Sequence, residues 1–525
     1  MLSFSLENVK SFVKTGDIEL KRINIFVGKN SSGKSSLVRF PVMLSQTFSE
    51  EVFTPFLFYG NQIDYGNFED VVHNHIGDSM TFNFGFGYRD IKRYLISAPF
   101  TSREPEVRRM FIKLISKNNI NIKVKIGKQN KKIIVDQFTL SIGENNICDF
   151  LKSSKNTYEL KLYKILKDSE LQNVKEEFIY KPQLNFQKFI PYLEVYNDEF
   201  YEDLLKKIDK DRVFASNQTI IDLLVSSKNN DDKMIENLAI EFGLNEKDVE
   251  IISKTNNYYD TILMINLIMR SLNRNMNNFA NTVSYIGPFR KDPERIYRDS
   301  ESSMLDVGKN GENISMILRQ AQQDKNPLLN KVSEWFLKSM GVSITIEDIE
   351  NSNLYKLMVT NNGVNHNIID VGYGIAQVLP IVTQIYYNNN SEDERKRNLY
   401  RFDKRKVFII EQPELHLHPA AQASLADLFV EKIVKDNETK FIIETHSEHF
   451  IRKLQVLVAD PRVKISQDDI GIYYVDKGED GQSCVNQINI NSKGQFIEKW
   501  PSGFFDKSFE LSRELMKVSN IEVDK

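Results

Sequence analysis

The chain has 525 residues, of which 41% are hydrophobic and 27% charged, and its formal net charge is −3. That length suits roughly two to four domains with at least one large core, and no apolar run approaches the roughly 20 residues that cross a bilayer. The near-balanced charge does not mark a nucleic-acid binder, although a local patch would not show in the sum. Only Cys148 and Cys484 are present. Far apart and without metal-ligand spacing, they argue against a disulfide framework or a cysteine zinc site, and the start lacks a basic region followed by an apolar stretch; a reducing cytoplasm is expected.

In chain order, Ser3–Glu7, Asp17–Leu20 and Ile23–Val27 carry apolar residues at strand spacing. The last runs into a glycine-rich loop, after which residues 34–45 have helical spacing. Residues 81–142 alternate and are rich in β-branched side chains, whereas Leu, Ile, Lys and Glu mixed over 156–279 predict helices broken at polar stretches such as 226–232. From Val283 onward, strands are expected at Val342–Ile346, Leu354–Val359 and Asn367–Val371, then a helix at Ile375–Tyr387. A charged, asparagine-rich loop, 388–406, precedes the most apolar strand, Val407–Ile410. Helix (Pro419–Ile433), strand (Lys440–Ile443), helix (Ser447–Leu457) and strand (Ile470–Val475) follow. That alternation predicts an α/β fold, a parallel sheet covered by helices and completed by the N-terminal strand before the glycine-rich loop.

Residues 28–35 read Gly28-Lys29-Asn30-Ser31-Ser32-Gly33-Lys34-Ser35, a complete GxxxxGK[ST], and Ser36 follows. The glycines let successive backbone N–H groups turn toward phosphate oxygens, and the helix that starts there adds its N-terminal dipole. Lys34 suits the β- and γ-phosphates of ATP, and the Ser35 hydroxyl suits Mg²⁺. The apolar strand ending at Glu411 has the Walker B form, with the acid holding Mg²⁺ through water. A third apolar strand, Phe441-Ile442-Ile443-Glu444-Thr445-His446, delivers His446 beside the expected γ-phosphate.

In this order the motifs resemble the ABC-type ATPases of the SMC, RecF and OLD-like branch, rather than the AAA+ ring branch, although such chains are often labelled AAA ATPases. The resemblance implies a signature at Asp370-Val371-Gly372-Tyr373-Gly374-Ile375-Ala376-Gln377, in which Asp370, Gly372, Gly374 and Gln377 reach the ATP of a partner subunit. Similarity is closer to a bacterial subgroup with Glu-Gln-Pro-Glu-Leu-His-Leu-His-Pro at Walker B, here Glu411–Pro419. That subgroup also has Ile-Gly-Pro-x-Arg, here Ile286–Arg290, and a tail matched from Gly494 through Trp500 to Asp506. Its implications are an ABC-type head in two halves (1–90 and 281–485), an inserted β-then-helical arm (91–280) and a small tail domain (486–525). It further implies a homodimer or higher even oligomer that regulates a separate effector, a nuclease or toxin, in anti-phage defence. A RecF-like repair ATPase and a non-hydrolysing ATP-bound scaffold are the alternatives.

Two departures bear on mechanism. Gln412 stands where ABC proteins have a catalytic glutamate; an amide orients water but is no base, and Glu414 is the nearest carboxylate to replace it. Ala376 replaces a frequent signature serine, a loss worth about 2–4 kcal/mol by analogy with a missing oxyanion-hole donor. Both predict slow hydrolysis. His416 and His418 are expected to be structural rather than metal ligands. The lysines of 113–132 fit either a phosphate-tracking surface or a solvated face, which leaves DNA open as a partner. The basic residues Arg395, Lys396, Arg397, Arg401, Lys404, Arg405 and Lys406 are partly offset by Glu392, Asp393 and Glu394. Arg290 and Arg295 are expected at the nucleotide or the dimer seam. About 50 residues after Val475 are too few for a Toprim nuclease domain, so no nuclease activity is expected in this chain.

Overall fold

The structure is a computed structural model that describes residues 1–52, 54–96, 104–154, 157–167, 170–180, 183–194, 245–300, 302, 304–387, 406–479, 481–501 and 507–519. The basic residues between Arg395 and Arg405, the 226–232 break and the 502–506 end of the tail motif lie outside the described residues. The chain opens with β1 (Ser3–Val9), β2 (Phe12–Lys14), β3 (Ile18–Glu19), β4 (Ile23–Gly28) and helix α1 (Lys34–Ser49). Two compact units emerge: residues 1–19, 44–60 and 64–281 form the first, and residues 20–43, 61–63 and 282–525 the second.

In the first unit α2 (Phe68–Val71) is followed by β5 (Ser79–Phe86), α3 (Tyr88–Ile96) and α4 (Glu104–Ile115). Then come β6 (Ile120–Gln129), β7 (Lys132–Ile142), β8 (Asn145–Lys152), β9 (Tyr158–Lys167), β10 (Glu170–Tyr180), β11 (Gln183–Gln187), β12 (Ile190–Glu194) and α5 (Glu246–Ala280). A nine-stranded sheet runs β10-β9-β8-β7-β6-β5-β1-β2, with β3 on β1. Every pairing in it is antiparallel. β1 was expected in the ATPase half, yet its ladder to β5, with Ser3 opposite Gly85, puts it in this sheet. The helical expectation for 156–279 fails at the strands β9 to β12; in β9, Leu160 and Leu162 are buried on one face. Over residues 256–268 α5 is buried all round, which explains why its sequence lacks a polar face. Phe56 and Phe189 stack at 4.6 Å between ring centroids and anchor the core with Phe82 and Phe84.

Lys123 and Lys125 lie on the exposed side of β6, which alternates from Ile120 to Ile126, and Lys128 is exposed beyond a register shift. Lys123 sits 3.8 Å from Glu7, and Lys128 pairs with Glu69. Two of those positive charges therefore have an acidic partner within the unit.

The second unit contains β4, the start of α1, β13 (Val283–Ile286), β14 (Tyr297–Arg298), α6 (Ile314–Gln323) and α7 (Leu328–Met340). β15 (Val342–Asp348), β16 (Leu354–Asn361), β17 (Val364–Asn367) and α8 (Tyr373–Tyr386) follow. The chain continues through β18 (Lys406–Glu411), α9 (Pro419–Lys435), β19 (Thr439–Glu444), α10 (Glu448–Ala459), β20 (Ile470–Lys477), β21 (Ser483–Ile488) and α11 (Lys507–Ser519). Its main sheet runs β13-β18-β19-β4-β20-β21, parallel up to β20, with β21 antiparallel. Here the α/β expectation matches the observed sheet and helices. β4 lies between β19 and β20 and is buried along its whole length, as a central strand covered on both faces should be. Residues 368–370, expected in a strand, form a 3-10 turn capped by Asn367, whose side chain accepts from Ile369 N. The tail folds back within this unit: Trp500 packs on Phe496 at 4.6 Å, and Gln455 donates to Gly494 O at 2.6 Å. A Cβ at position 494 would meet Gln455 O at 2.1 Å, so only glycine fits there.

Candidate nucleotide-binding site

The site is built on the carboxyl ends of three adjacent parallel strands, where open α/β sheets place ligands. β4 ends at Gly28, and α1 begins at Lys34 after one tight loop. Gly28 has φ of 144° and Gly33 of 101°, which L side chains rarely adopt; Ser31 also sits in the left-handed region. A Cβ on Gly28 would lie 1.9 Å from Val475 O on β20. The loop can thus turn only because this position is glycine.

Lys34 lies across this loop, with Nζ donating to Gly28 O at 3.1 Å and Lys29 O at 2.5 Å. Burial holds its pKa below the ordinary lysine value, partly countered by Glu444. Ser32 is 1% exposed, and its hydroxyl has no hydrogen-bond partner among the described residues. An orphaned buried hydroxyl beside a buried ammonium at a helix N-terminus suits a phosphate group, which accepts from both. These residues fit a nucleoside triphosphate.

β18 and β19 bring Glu411 and Glu444 into register at the same level. Arg39, on α1, takes Glu411 as a bidentate pair, Nε to Oε1 at 2.7 Å and Nη2 to Oε2 at 2.8 Å. Tyr285 Oη donates to the same Oε1 at 2.6 Å. Burial, then the Glu411 charge, pushes the Tyr285 phenol far above its usual range. Arg290 holds the strand end through Glu411 O at 2.7 Å and Gln412 O at 3.3 Å. Burial lowers its pKa to about 10. Sequence reasoning had left Arg290 between nucleotide and dimer seam; the structure sets it against the backbone turn at Glu411 and Gln412.

Glu444 lies beside Lys34 and Ser35, where the loop enters α1. Its carboxyl is pushed up to about 7, first by burial and then by Glu411, while a hydrogen bond from the Ser35 hydroxyl and the charge of Lys34 oppose that rise. Its Oε2 is buried without a hydrogen-bond partner among the described residues. Among the described residues no group of three or more His, Cys, Asp or Glu side chains could hold a metal ion alone. A Mg²⁺-type ion fits such a site, because it takes one or two carboxylates and fills its remaining positions with phosphate and water.

Beyond Glu411 the backbone turns sharply: Gln412 has φ of 46°, and its N–H donates to Glu444 O at 2.7 Å. Strain of that kind at a strand end is common where a side chain must be aimed. Glu414 is buried, and its Oε1 accepts from His446 N at 2.5 Å. Burial raises its pKa against these hydrogen bonds. Glu414 thus ties the turn after β18 to the His446 loop. His446 is half-buried, and burial followed by Lys34 lowers its pKa, which favours a neutral ring. His418 caps α9, and the His416 ring lies 5.8 Å from that of Tyr373.

The residues expected to form the signature divide. Asp370 is exposed and paired with Arg295 in two bonds of 2.6 and 2.9 Å, and Gly372 is the exposed N-cap of α8. Gln377 is buried, and a Cβ on Gly374 would meet His416 O at 2.7 Å. Gly374 is therefore explained by close packing inside this chain. Sequence reasoning missed Arg39, Tyr285 and Glu444 as members of the site. Glu444 carried a signal, since an acid ends its apolar strand just as Glu411 ends the neighbouring one.

No helix among the described residues is long and apolar enough to cross a membrane. No curated protein matches the chain. Among solved structures it is similar to an Smc head domain from Pyrococcus furiosus with an extended coiled coil, bound to the C-terminal domain of ScpA. Identity is 12% and the TM-score 0.35, over 98% of this chain and 99% of that one. It is also similar to the SMC head domain from Thermotoga maritima, at 10% identity and a TM-score of 0.31, over 93% and 98%. Likeness at that level does not bear on function. A family model described as a protein of unknown function (DUF3696) matches residues 465–515. A model described as an AAA ATPase domain matches residues 1–451, and the chain belongs to that family.

Proposed function

We propose that the chain is an ABC-type ATPase that binds ATP with Mg²⁺, hydrolyses it slowly, and works as a nucleotide-gated dimer. The observation that carries this reading is the loop between β4 and α1, where Lys34 and the unpartnered Ser32 hydroxyl converge at a helix N-terminus. Family membership in the AAA ATPase domain supports turnover. When bound, the cation neutralises charge on the β- and γ-phosphate oxygens. The chain's own residues do the rest: backbone N–H groups from residues 30–36 hold the phosphates, and Lys34 leaves the carbonyls of Gly28 and Lys29 for phosphate oxygen. Gln412 orients the attacking water, neutral His446 donates toward the γ-phosphate, and Glu414 accepts the proton.

The buried Glu414 is bonded to His446 N, so accepting a proton weakens the link between two loops. That coupling favours slow turnover. It also favours a second reading, in which ATP is held as a permanent clamp between two copies and is not hydrolysed. In the dimer, the exposed Asp370 and Gly372 at the start of α8 face the partner's nucleotide. The gated state would restrain or release a separate effector, a nuclease or toxin, in anti-phage defence; support for this role is the resemblance at Glu411–Pro419, Ile286–Arg290 and the tail.

Mg²⁺-dependent turnover, measured with Lys34→Ala and Glu414→Gln beside the wild type, tests the proposal. Turnover lost in both variants supports a cycling ATPase with Glu414 as base. Tightly bound ATP without wild-type turnover supports the clamp. Sedimentation that stays monomeric with ATP present in either case refutes the gated dimer.

A further inference from the structure

Two carboxylates end neighbouring parallel strands at the same level, yet their surroundings differ. Glu411 has both oxygens taken: Oε1 by Arg39 Nε and Tyr285 Oη, and Oε2 by Arg39 Nη2. Its charge is balanced by a guanidinium in fork geometry, the arrangement in which arginine binds carboxylate best. For this group to take a cation, the arginine would have to leave, and two positive charges would then share one pocket. Among the described residues Glu444 has no cationic hydrogen-bond partner. The Ser35 hydroxyl bonds to it, and Lys34 and Arg39 act on it through charge alone. Its Oε2 carries no hydrogen bond although the residue is only 3% exposed.

A buried carboxylate oxygen without a donor is costly, and native proteins keep such groups where something else binds. The same carboxyl group takes a hydrogen bond from Ser35, the P-loop hydroxyl suited to the metal of a bound nucleotide. A hard divalent ion prefers such an oxygen, and its charge would offset the repulsion between the two carboxylates. We propose that Glu444, and not Glu411, supplies the carboxylate through which this site takes the divalent cation of the nucleotide, Glu411 serving as the fixed counter-ion of Arg39. The inference rests on the nucleotide-binding reading, because phosphate oxygens complete the coordination.

Mn²⁺ is the probe, titrated by electron paramagnetic resonance onto the full chain loaded with a non-hydrolysed ATP analogue. Binding of the analogue in EDTA is measured separately, as a control for the fold and for the nucleotide site. Glu444→Gln should weaken Mn²⁺ binding by about 10–100-fold, the scale seen when a metal site loses an oriented partner. Its affinity for the analogue in EDTA should not fall, because the substitution removes a negative charge beside Lys34 and so lowers repulsion toward the phosphates. Because Glu411→Gln alone risks misfolding, the companion is Arg39→Met with Glu411→Met, which removes the pair together and should keep Mn²⁺ affinity close to that of the wild type. Retention of Mn²⁺ by Glu444→Gln, or a loss in the double variant as large as in Glu444→Gln, overturns the inference. Failure of the wild type to bind the analogue in EDTA and in Mn²⁺ overturns the nucleotide reading as well, and the EDTA control separates the two failures.

Discussion

Removing Arg39 should destabilise the second unit sharply, more than a pair drawn between two surface side chains would. Glu411 is 2% exposed and Arg39 32% in their side chains. Deleting one partner of a buried pair typically costs about 3–5 kcal/mol, because the other charge stays behind without compensation. Here one end of the pair reaches water, and Tyr285 Oη remains as a donor to Glu411. Those two facts bring the expected loss for Arg39→Met to about 2–3 kcal/mol. In a unit of this size that lowers the melting temperature by about 5–10 °C. The second substitution should recover much of it: in Arg39→Met with Glu411→Met no charge is stranded, giving a coupling of about 1–3 kcal/mol. The assay is direct, because the chain has two tryptophans, and Trp335 and Trp500 both belong to the second unit. Urea unfolding followed by tryptophan fluorescence therefore reports the unit that holds the pair. A single variant within about 0.5 kcal/mol of wild type, the range of surface changes, would refute the reasoning.

Other outcomes follow from the same geometry. In metal-free protein, Glu444 titrates near 7 when folded and near its ordinary value when unfolded, so it favours folding fully below about pH 4.5 and loses that contribution as pH rises to about 7. Glu444→Gln should flatten the fall, worth about 3 kcal/mol at most, in denaturation midpoints taken in EDTA; an unchanged slope would contradict it. Gly28→Ala forces a Cβ into Val475 O and a disfavoured φ, so melting should drop by more than for Gly372→Ala, where nothing lies within 4 Å. Equal melting temperatures would rule that out. Glu414→Ala removes the acceptor of His446 N and should raise amide exchange across residues 445–447, whereas Glu414→Gln, keeping an oxygen, should not. Similar exchange in the two would break the proposed tie.

The central strands were legible because each is a short apolar run ending in polar chemistry. Residues 23–28, 406–411 and 439–444 cannot satisfy their hydrophobic side chains except inside a sheet, and the polar residue at each carboxyl end then has to face the loops. The glycines of the P-loop announced its turn for the same local reason. Tyr158–Lys167 was misread as helical because Leu and Ile mixed with Lys and Glu suit either period; only strict attention to Glu159-Leu160-Lys161-Leu162 shows the alternation of two. α3 and α4 interrupt a stretch that otherwise reads as strands, and their helical faces are satisfied by α5, more than a hundred residues onward. The site's chemistry was legible in part. Arg39 and Glu411 are 372 positions apart, and Tyr285 and Glu411 126, so no spacing rule joins them. Which of two strand-end acids is neutralised by an arginine is decided in three dimensions, and the sequence named the one that is already paired.

Calorimetric titration of ATP with Mg²⁺ into the full chain and into Lys34→Ala tests the central claim most directly. Lys34 contributes two hydrogen bonds to the loop's own carbonyls, so its removal should leave melting within a few degrees of wild type while heat of ATP binding disappears. Saturable ATP binding by wild type and none by the folded variant is the predicted result. Equal binding by both, or none by the folded wild type, would contradict the account.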